Sequence, residues 1–169
     1  NPLLVNYAKI IQFLFHKQWD QLRKYCQNRE ILIIGDMPIY VSYDSADVWA
    51  NSELFQLDKS KNMQFQSGSP PCKFNKEGQI WENPLYNWPV HEENNFKWWE
   101  MRFKKLFEMV DIVRLDHFIG YERYYKIPID QTSKQGEWIP APGNKLFKSL
   151  LSKLNNLNII AEDLGEITD

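Results

Sequence analysis

Between residues 7 and 28 the apolar positions Ile10, Ile11, Leu14, Phe15, Trp19, Leu22, Tyr25 and Cys26 recur mostly at intervals of three and four, which predicts a helix with one apolar stripe. Ile31-Leu32-Ile33-Ile34 follows as an unbroken aliphatic run, the pattern of a parallel strand buried on both faces, and Gly35-Asp36 closes it. The same grammar returns twice. Phe96, Trp99, Phe103, Leu106 and Val110 predict a second helix, and Ile112-Val113-Arg114-Leu115 a strand ending at Asp116. Leu146, Phe147, Leu150, Leu151 and Leu154 predict a third helix behind Asn144 as N-cap, before a strand over 158–161 that runs into Glu162. Helix then strand, three times over, implies parallel strands with helical crossovers. Asp36, Asp116 and Glu162 would then gather at the carboxyl edge of one sheet, where α/β proteins bind ligands.

Between Asp36 and the second helix lie more than fifty residues without clear periodicity, holding five of the nine prolines together with Trp49, Trp81 and Trp88. A second irregular stretch runs from Gly120 to Gly143. Long loops leaving the carboxyl ends of strands, with short returns, are the asymmetry of a (β/α)8 barrel enzyme. The fold class read from the pattern is therefore α/β, a partial (β/α)8 barrel with long βα-loop insertions.

Composition narrows the partners. At 43% hydrophobic and 25% charged, the 169 residues are those of a globular protein and not of a disordered one. A formal net charge of −2 with scattered Lys and Arg lacks the footprint of a binder of nucleic acid or of an anionic membrane. No apolar run reaches the length of a membrane helix, and the first residues lack the features of a signal peptide, so the chain reads as cytoplasmic. Cys26 and Cys72 form neither a disulfide framework nor a zinc pattern. No nucleotide-loop or metalloprotease motif occurs, so no cofactor and no metal is implied. Aromatic residues at 15%, with seven Trp, serve either as core filler or as stacking surfaces for sugars or bases.

The strand-end carboxylates carry the candidate chemistry. In glycoside chemistry one carboxylate attacks or stabilises the oxocarbenium-like centre, and a second donates a proton to the leaving oxygen. Capping a helix or pairing with a neighbour is the alternative for each taken singly. Arg114 shares a strand face with Asp116, where a guanidinium would favour the ionised, nucleophilic carboxylate, or would form a structural ion pair. His117 sits where it would reach a sugar hydroxyl or serve as a satisfied supporting residue. His16 with Asp20, and His91 with Glu92 and Glu93, read as solvated surface charges, and Asp44 and Asp47 as a turn and a helix N-terminus.

Six motifs stand in order: Gly35-Asp36-Met37-Pro38-Ile39-Tyr40-Val41 with Asp44-Ser45-Ala46-Asp47-Val48-Trp49; Gly78-Gln79-Ile80-Trp81 with Asn83-Pro84-Leu85-Tyr86; Arg114-Leu115-Asp116-His117-Phe118; and Ala161-Glu162-Asp163-Leu164-Gly165. The set resembles the amylomaltases, the α-1,4-glucanotransferases or disproportionating enzymes of glycoside hydrolase family seventy-seven. The resemblance implies a (β/α)8 barrel that cleaves α-1,4-glucans and maltooligosaccharides and passes the piece to another sugar's 4-hydroxyl. It implies Asp116 as nucleophile, Glu162 as acid/base, Asp36 and Arg114 as further active-centre residues, and Trp81 lining the groove with Asn83 nearby. Cys72, Glu82 and Ile119 depart from the family's usual Asp, Gly and Arg. The family's greater length implies that residues 1–169 form a central segment of about three βα units, inactive alone, with a third catalytic Asp outside it. A related α-glucan hydrolase, and a non-catalytic glucan-binding segment using Trp81 and Trp88, are the competing functional readings.

Overall fold

A computed structural model describes residues 1–154 and 157–163. The expectations attached to Leu164 and Gly165 lie outside the described residues. Helix α1 (Pro2–Gln27) leads to strand β1 (Ile34–Met37) and the short helix α2 (Ala46–Ala50). Strands β2 (Phe65–Ser69) and β3 (Gln79–Pro84) precede α3 (Trp88–Glu93), α4 (Lys97–Met109) and β4 (Ile112–Leu115). Strands β5 (Arg123–Pro128) and β6 (Glu137–Pro140), helix α5 (Gly143–Lys153) and strand β7 (Ile159–Ala161) complete the order.

Two sheets result. β1, β4 and β7 form a parallel sheet in that order, with β4 at its centre, so the predicted parallel topology holds. The second sheet is antiparallel, in the order β3-β2-β5-β6, and is built wholly from the two stretches that carry no clear period in the sequence. Those stretches are therefore not loops but a four-stranded layer, inserted after β1 and after β4.

Three local expectations are corrected. β1 begins at Ile34 and runs through Gly35 and Asp36 to Met37, three residues later than the aliphatic run. Ile33 hands its N–H to the Asp111 carboxylate at 2.9 Å, and its carbonyl accepts from Asp111 and Ile112, so the preceding residues approach the sheet without joining it. Gly35 is needed at this point because a Cβ there would sit 2.8 Å from a Val110 methyl. β1 is also not buried on both faces: Ile34 remains 58% exposed, and Leu32, just before the strand, 65%. Helix α5 starts at Gly143 with Pro142 as its N-cap, not at Asn144, since the Pro142 carbonyl takes the first helical bond from Leu146.

Helix α1 forms but starts at Pro2, five residues before the predicted residue 7, and none of its residues is buried. It is held at its end, where Trp19 donates to the Met109 carbonyl at 2.8 Å and Arg23 pairs with Asp111 at 3.2 Å.

The core lies where α3, α4 and α5 meet the sheets. Trp99 and Phe103 of α4 are fully buried, with Tyr86, Trp88, Trp98 and Tyr121 closing around them. Trp88 stacks on Trp99 at 5.7 Å, so its ring is core and not a sugar platform. His91 is also core, contrary to the surface reading. Its ring sits among Tyr86, Trp88, Trp98 and Trp99, and Nε2 bonds the Leu54 carbonyl at 3.1 Å. Full burial of each large ring contributes about 1.5–3 kcal/mol, so the cluster is a main source of the fold's stability.

Candidate active site

β-sheet register assembles the site. Asp36 pairs with Arg114 across β1 and β4, and Leu115 pairs with Ala161 across β4 and β7. The ladder runs on past both strand ends: Asp116 N–H donates to Met37 O, and Glu162 N–H to Leu115 O, each at 3.1 Å. Asp116 and Glu162 are therefore neighbours at one sheet edge. Arg114 and Asp116, two residues apart, share a face with them.

Arg114 joins all three carboxylates. One guanidinium nitrogen donates to Asp36 Oδ1 at 2.6 Å, and the other to Asp116 Oδ1 at 3.2 Å and Glu162 Oε1 at 2.5 Å. A nitrogen shared in this way places the facing oxygens of Asp116 and Glu162 no more than about 6 Å apart. The hydrogen bond to Asp36, reinforced by the charges of Asp36, Glu162 and Asp116, pushes the Arg114 pKa above its already high value, against a smaller opposing effect of desolvation. The second Glu162 oxygen accepts the backbone N–H of His117 at 2.6 Å. Glu162 is the most enclosed of the three at 16% side-chain exposure, against 40% for Asp116 and 56% for Asp36.

The wall facing this edge comes from the inserted sheet. Gly68 pairs with Ile80 and Gln66 with Pro84, so Ser67 alone faces Trp81, Glu82 and Asn83, and β3 bulges there. Bulges beside active sites re-aim side chains, and this one turns the half-buried Trp81 to meet His117 edge-on at 4.8 Å. Gln79 accepts the Trp81 indole N–H at 2.7 Å, and Tyr40 lies against the Trp81 ring at 6.2 Å. Asn83 stands at the same bulge. Glu82, exposed, has φ +57°, and His117 φ +48°, both in the left-handed region. Burial lowers the His117 pKa, with the charges of Asp116 and Glu162 opposing.

The structure thus unites Asp36, Arg114, Asp116, Glu162, His117 and Trp81 at one edge. Sequence reasoning missed the groups that hold the Asp36 loop. Arg102 of α4 donates to the Pro38 and Ile39 carbonyls at 2.5 and 3.1 Å, and Tyr86 donates to Ile39 O at 2.6 Å. Tyr86 closes one of the sequence motifs, whereas Arg102 is signalled only by the aromatics around residue 98.

Asp44 and Asp47 conform to the turn-and-helix reading. Ser45 caps α2, and Asp47 in its first turn accepts the Trp98 indole N–H at 3.1 Å. No group of side chains suited to a metal ion is present among the described residues, nor any helix long and apolar enough to cross a membrane.

Comparison with known proteins identifies the relatives of the chain. A 4-alpha-glucanotransferase of Aquifex aeolicus is 50% identical over 160 residues, which is 94% of this chain and 33% of that protein. Its counterpart in Synechocystis is 47% identical, over 97% of this chain and 33% of that one. The amylomaltase of Streptococcus agalactiae, solved in complex with acarbose, superposes with a TM-score of 0.91 at 47% identity, covering 94% of this chain and 32% of that one. The chain therefore spans about a third of the length of these relatives. The profile of glycoside hydrolase family seventy-seven, described as 4-alpha-glucanotransferase, matches residues 3–169, and the chain belongs to that family.

Proposed function

We propose that the protein is a retaining α-1,4-glucanotransferase, and that residues 1–169 supply the central part of its (β/α)8 catalytic barrel. The single observation that carries the reading is the Arg114 nitrogen shared by Asp116 and Glu162. It holds one oxygen of each carboxylate within about 6 Å of the other, which supports the close carboxylate pair of a retaining enzyme, about 5–5.5 Å, over the wider pair of an inverting one, roughly 6.5–9.5 Å.

Asp116 attacks the anomeric carbon of the donor while Glu162 protonates the departing 4-oxygen. Glu162 then takes the proton from an acceptor's 4-hydroxyl, whose oxygen displaces Asp116 from the glycosyl-enzyme. Asp36 and Arg114 hold the carboxylate pair in place. Trp81, Asn83 and His117 line the glucan groove, where a flat indole suits the apolar face of a sugar ring. Acarbose in the Streptococcus agalactiae amylomaltase supports a saccharide groove of this kind. We place the enzyme in the cytoplasm, with the free thiols of Cys26 and Cys72 in support.

In the full-length protein, Asp116→Asn should lower maltotriose disproportionation by several orders of magnitude while glucan binding survives. Glu162→Gln should lose turnover on maltotriose but still be glycosylated by a maltosyl fluoride, whose leaving group needs no proton. Activity of Asp116→Asn within about tenfold of wild type would remove the assignment. Products of only glucose and maltose, with nothing longer than the substrate, would make the enzyme a hydrolase.

A further inference from the structure

We propose that Arg102, on a helix outside the carboxylate cluster, is a positioning residue that sets the Asp36 carboxylate against Arg114; the proposal rests on the glucanotransferase reading of that cluster. Arg102 belongs to α4, whose neighbouring residues Trp98, Trp99 and Phe103 are core. Its guanidinium reaches back over that core to the segment that follows β1. One nitrogen donates to Pro38 O at 2.5 Å, and the other to Ile39 O at 3.1 Å and to Tyr86 Oη at 3.3 Å. Tyr86 closes the ring of contacts by donating to the same Ile39 carbonyl at 2.6 Å.

The tethered carbonyls stand two and three residues beyond Asp36, where β1 has ended and no ladder partner fixes the backbone. A planar fork that grips two successive carbonyls fixes direction as well as distance, which an ammonium on a flexible stem does not. The fork is itself immobilised, because it lies over the Trp98 and Trp99 rings at 5.3 and 5.4 Å. The same loop continues to Tyr40, which stacks on Tyr86 at 5.8 Å and contacts Trp81. A rigid line thus runs from the aromatic core through Arg102 to the Asp36 loop, and from Asp36 to Arg114 and the two carboxylates beyond it.

A guanidinium that merely stacks on tryptophans would stabilise the core and nothing more. Loop position and coupling to Asp36 separate the two roles. In the full-length protein, Arg102→Met should lower kcat for maltotriose disproportionation by about ten- to a hundredfold, the loss that follows from a small misplacement of a working group. Arg102→Lys, which can hold one carbonyl at a time, should fall between it and wild type. In an Asp36→Asn background, adding Arg102→Met should change kcat by less than about threefold, because the carboxylate it positions is already gone. A further loss of more than about threefold in that background would overturn the proposal.

Hydrogen exchange supplies a readout independent of the reaction. Arg102→Met should speed exchange at the amides of Ile39, Tyr40 and Val41 while those of α4 keep their protection. Unchanged exchange in that loop, or loss of protection throughout α4, would also overturn the proposal. An active Asp116→Asn would instead defeat the glucanotransferase reading and leave the exchange result to decide the tether.

Discussion

Acidification should weaken this fold through His91, and the size of the effect follows from where the ring sits. His91 is fully buried among four aromatic rings, with its Nε2 on the Leu54 carbonyl and no hydrogen-bond partner for Nδ1 among the described residues. Loss of solvation drives its pKa from 6.5 down to about 4, and the bond to Leu54 only partly opposes the shift. Between those two values the unfolded chain binds a proton that the folded ring refuses. Stability is therefore complete above about pH 6.5, declines as pH falls, and has lost its full share once pH passes below about 4. Each pKa unit corresponds to 1.36 kcal/mol, so the whole effect is about 3 kcal/mol, and about 2 kcal/mol has gone by pH 5.

The assay is urea unfolding of the full-length protein and of His91→Gln at pH 8 and pH 5. The glutamine amide keeps a donor for Leu54 but does not titrate. At pH 8 the variant should be the less stable, because a flexible amide packs poorly among indoles. Towards pH 5 wild type should lose about 2 kcal/mol more than the variant. His117, whose pKa burial also lowers, is common to both proteins and cancels from the comparison. Parallel pH profiles, differing by less than about 0.5 kcal/mol, would refute the argument.

Substitutions at two further positions test the inserted sheet. A Cβ at Gly68 would lie 2.1 Å from the Gln79 carbonyl oxygen and 2.6 Å from an Ile127 methyl, so Gly68→Ala should cost about 1–3 kcal/mol and lower the thermal midpoint; an unchanged midpoint would show that β2 and β3 separate freely. Glu82 occupies the left-handed region, so Glu82→Gly should leave thermal stability nearly unchanged, relief of strain offsetting the added freedom of the unfolded chain, while β-branched Glu82→Val should cost about 1 kcal/mol or more; equal midpoints for all three proteins would refute the strained bulge.

What the sequence made legible was decided by period. Helix α4 and strand β4 fall where the apolar spacing puts them, because Phe103 and Val113 face a core through one regular element each. β1 was displaced because Gly35-Asp36 reads as a terminator, yet here the missing Cβ is what lets the strand pass Val110. The antiparallel strands were illegible for a different reason. Phe65-Gln-Ser-Gly-Ser and Glu137-Trp-Ile-Pro are short, carry Gly or Pro, and find β5 as partner from opposite directions along the chain, so no local pattern announces them. His91 was misread because Glu92 and Glu93 made its surroundings look polar. Glu92 instead turns outward to Lys145 at 2.5 Å while the imidazole turns inward. The strand-end carboxylates were legible because parallel topology alone carries them to one edge.

On the glucanotransferase reading, gathering those carboxylates around a single guanidinium would have a consequence for catalysis. Arg114 is a fixed positive charge, and any two ionised carboxylates among Asp36, Asp116 and Glu162 outweigh it, so the edge of the sheet is negative. On that reading, a neutral glucan would gain little from that field when it binds. An oxocarbenium-like transition state, positive at the anomeric carbon, would gain much more, and that difference would accelerate the chemistry. Without Arg114 the carboxylates would repel one another at a separation the mechanism nevertheless requires. With it, the negative groups are held close in advance, so that less reorganisation would remain at the moment of bond cleavage. The inserted sheet completes the arrangement, since the β3 bulge sets Trp81 against His117 beside the cluster.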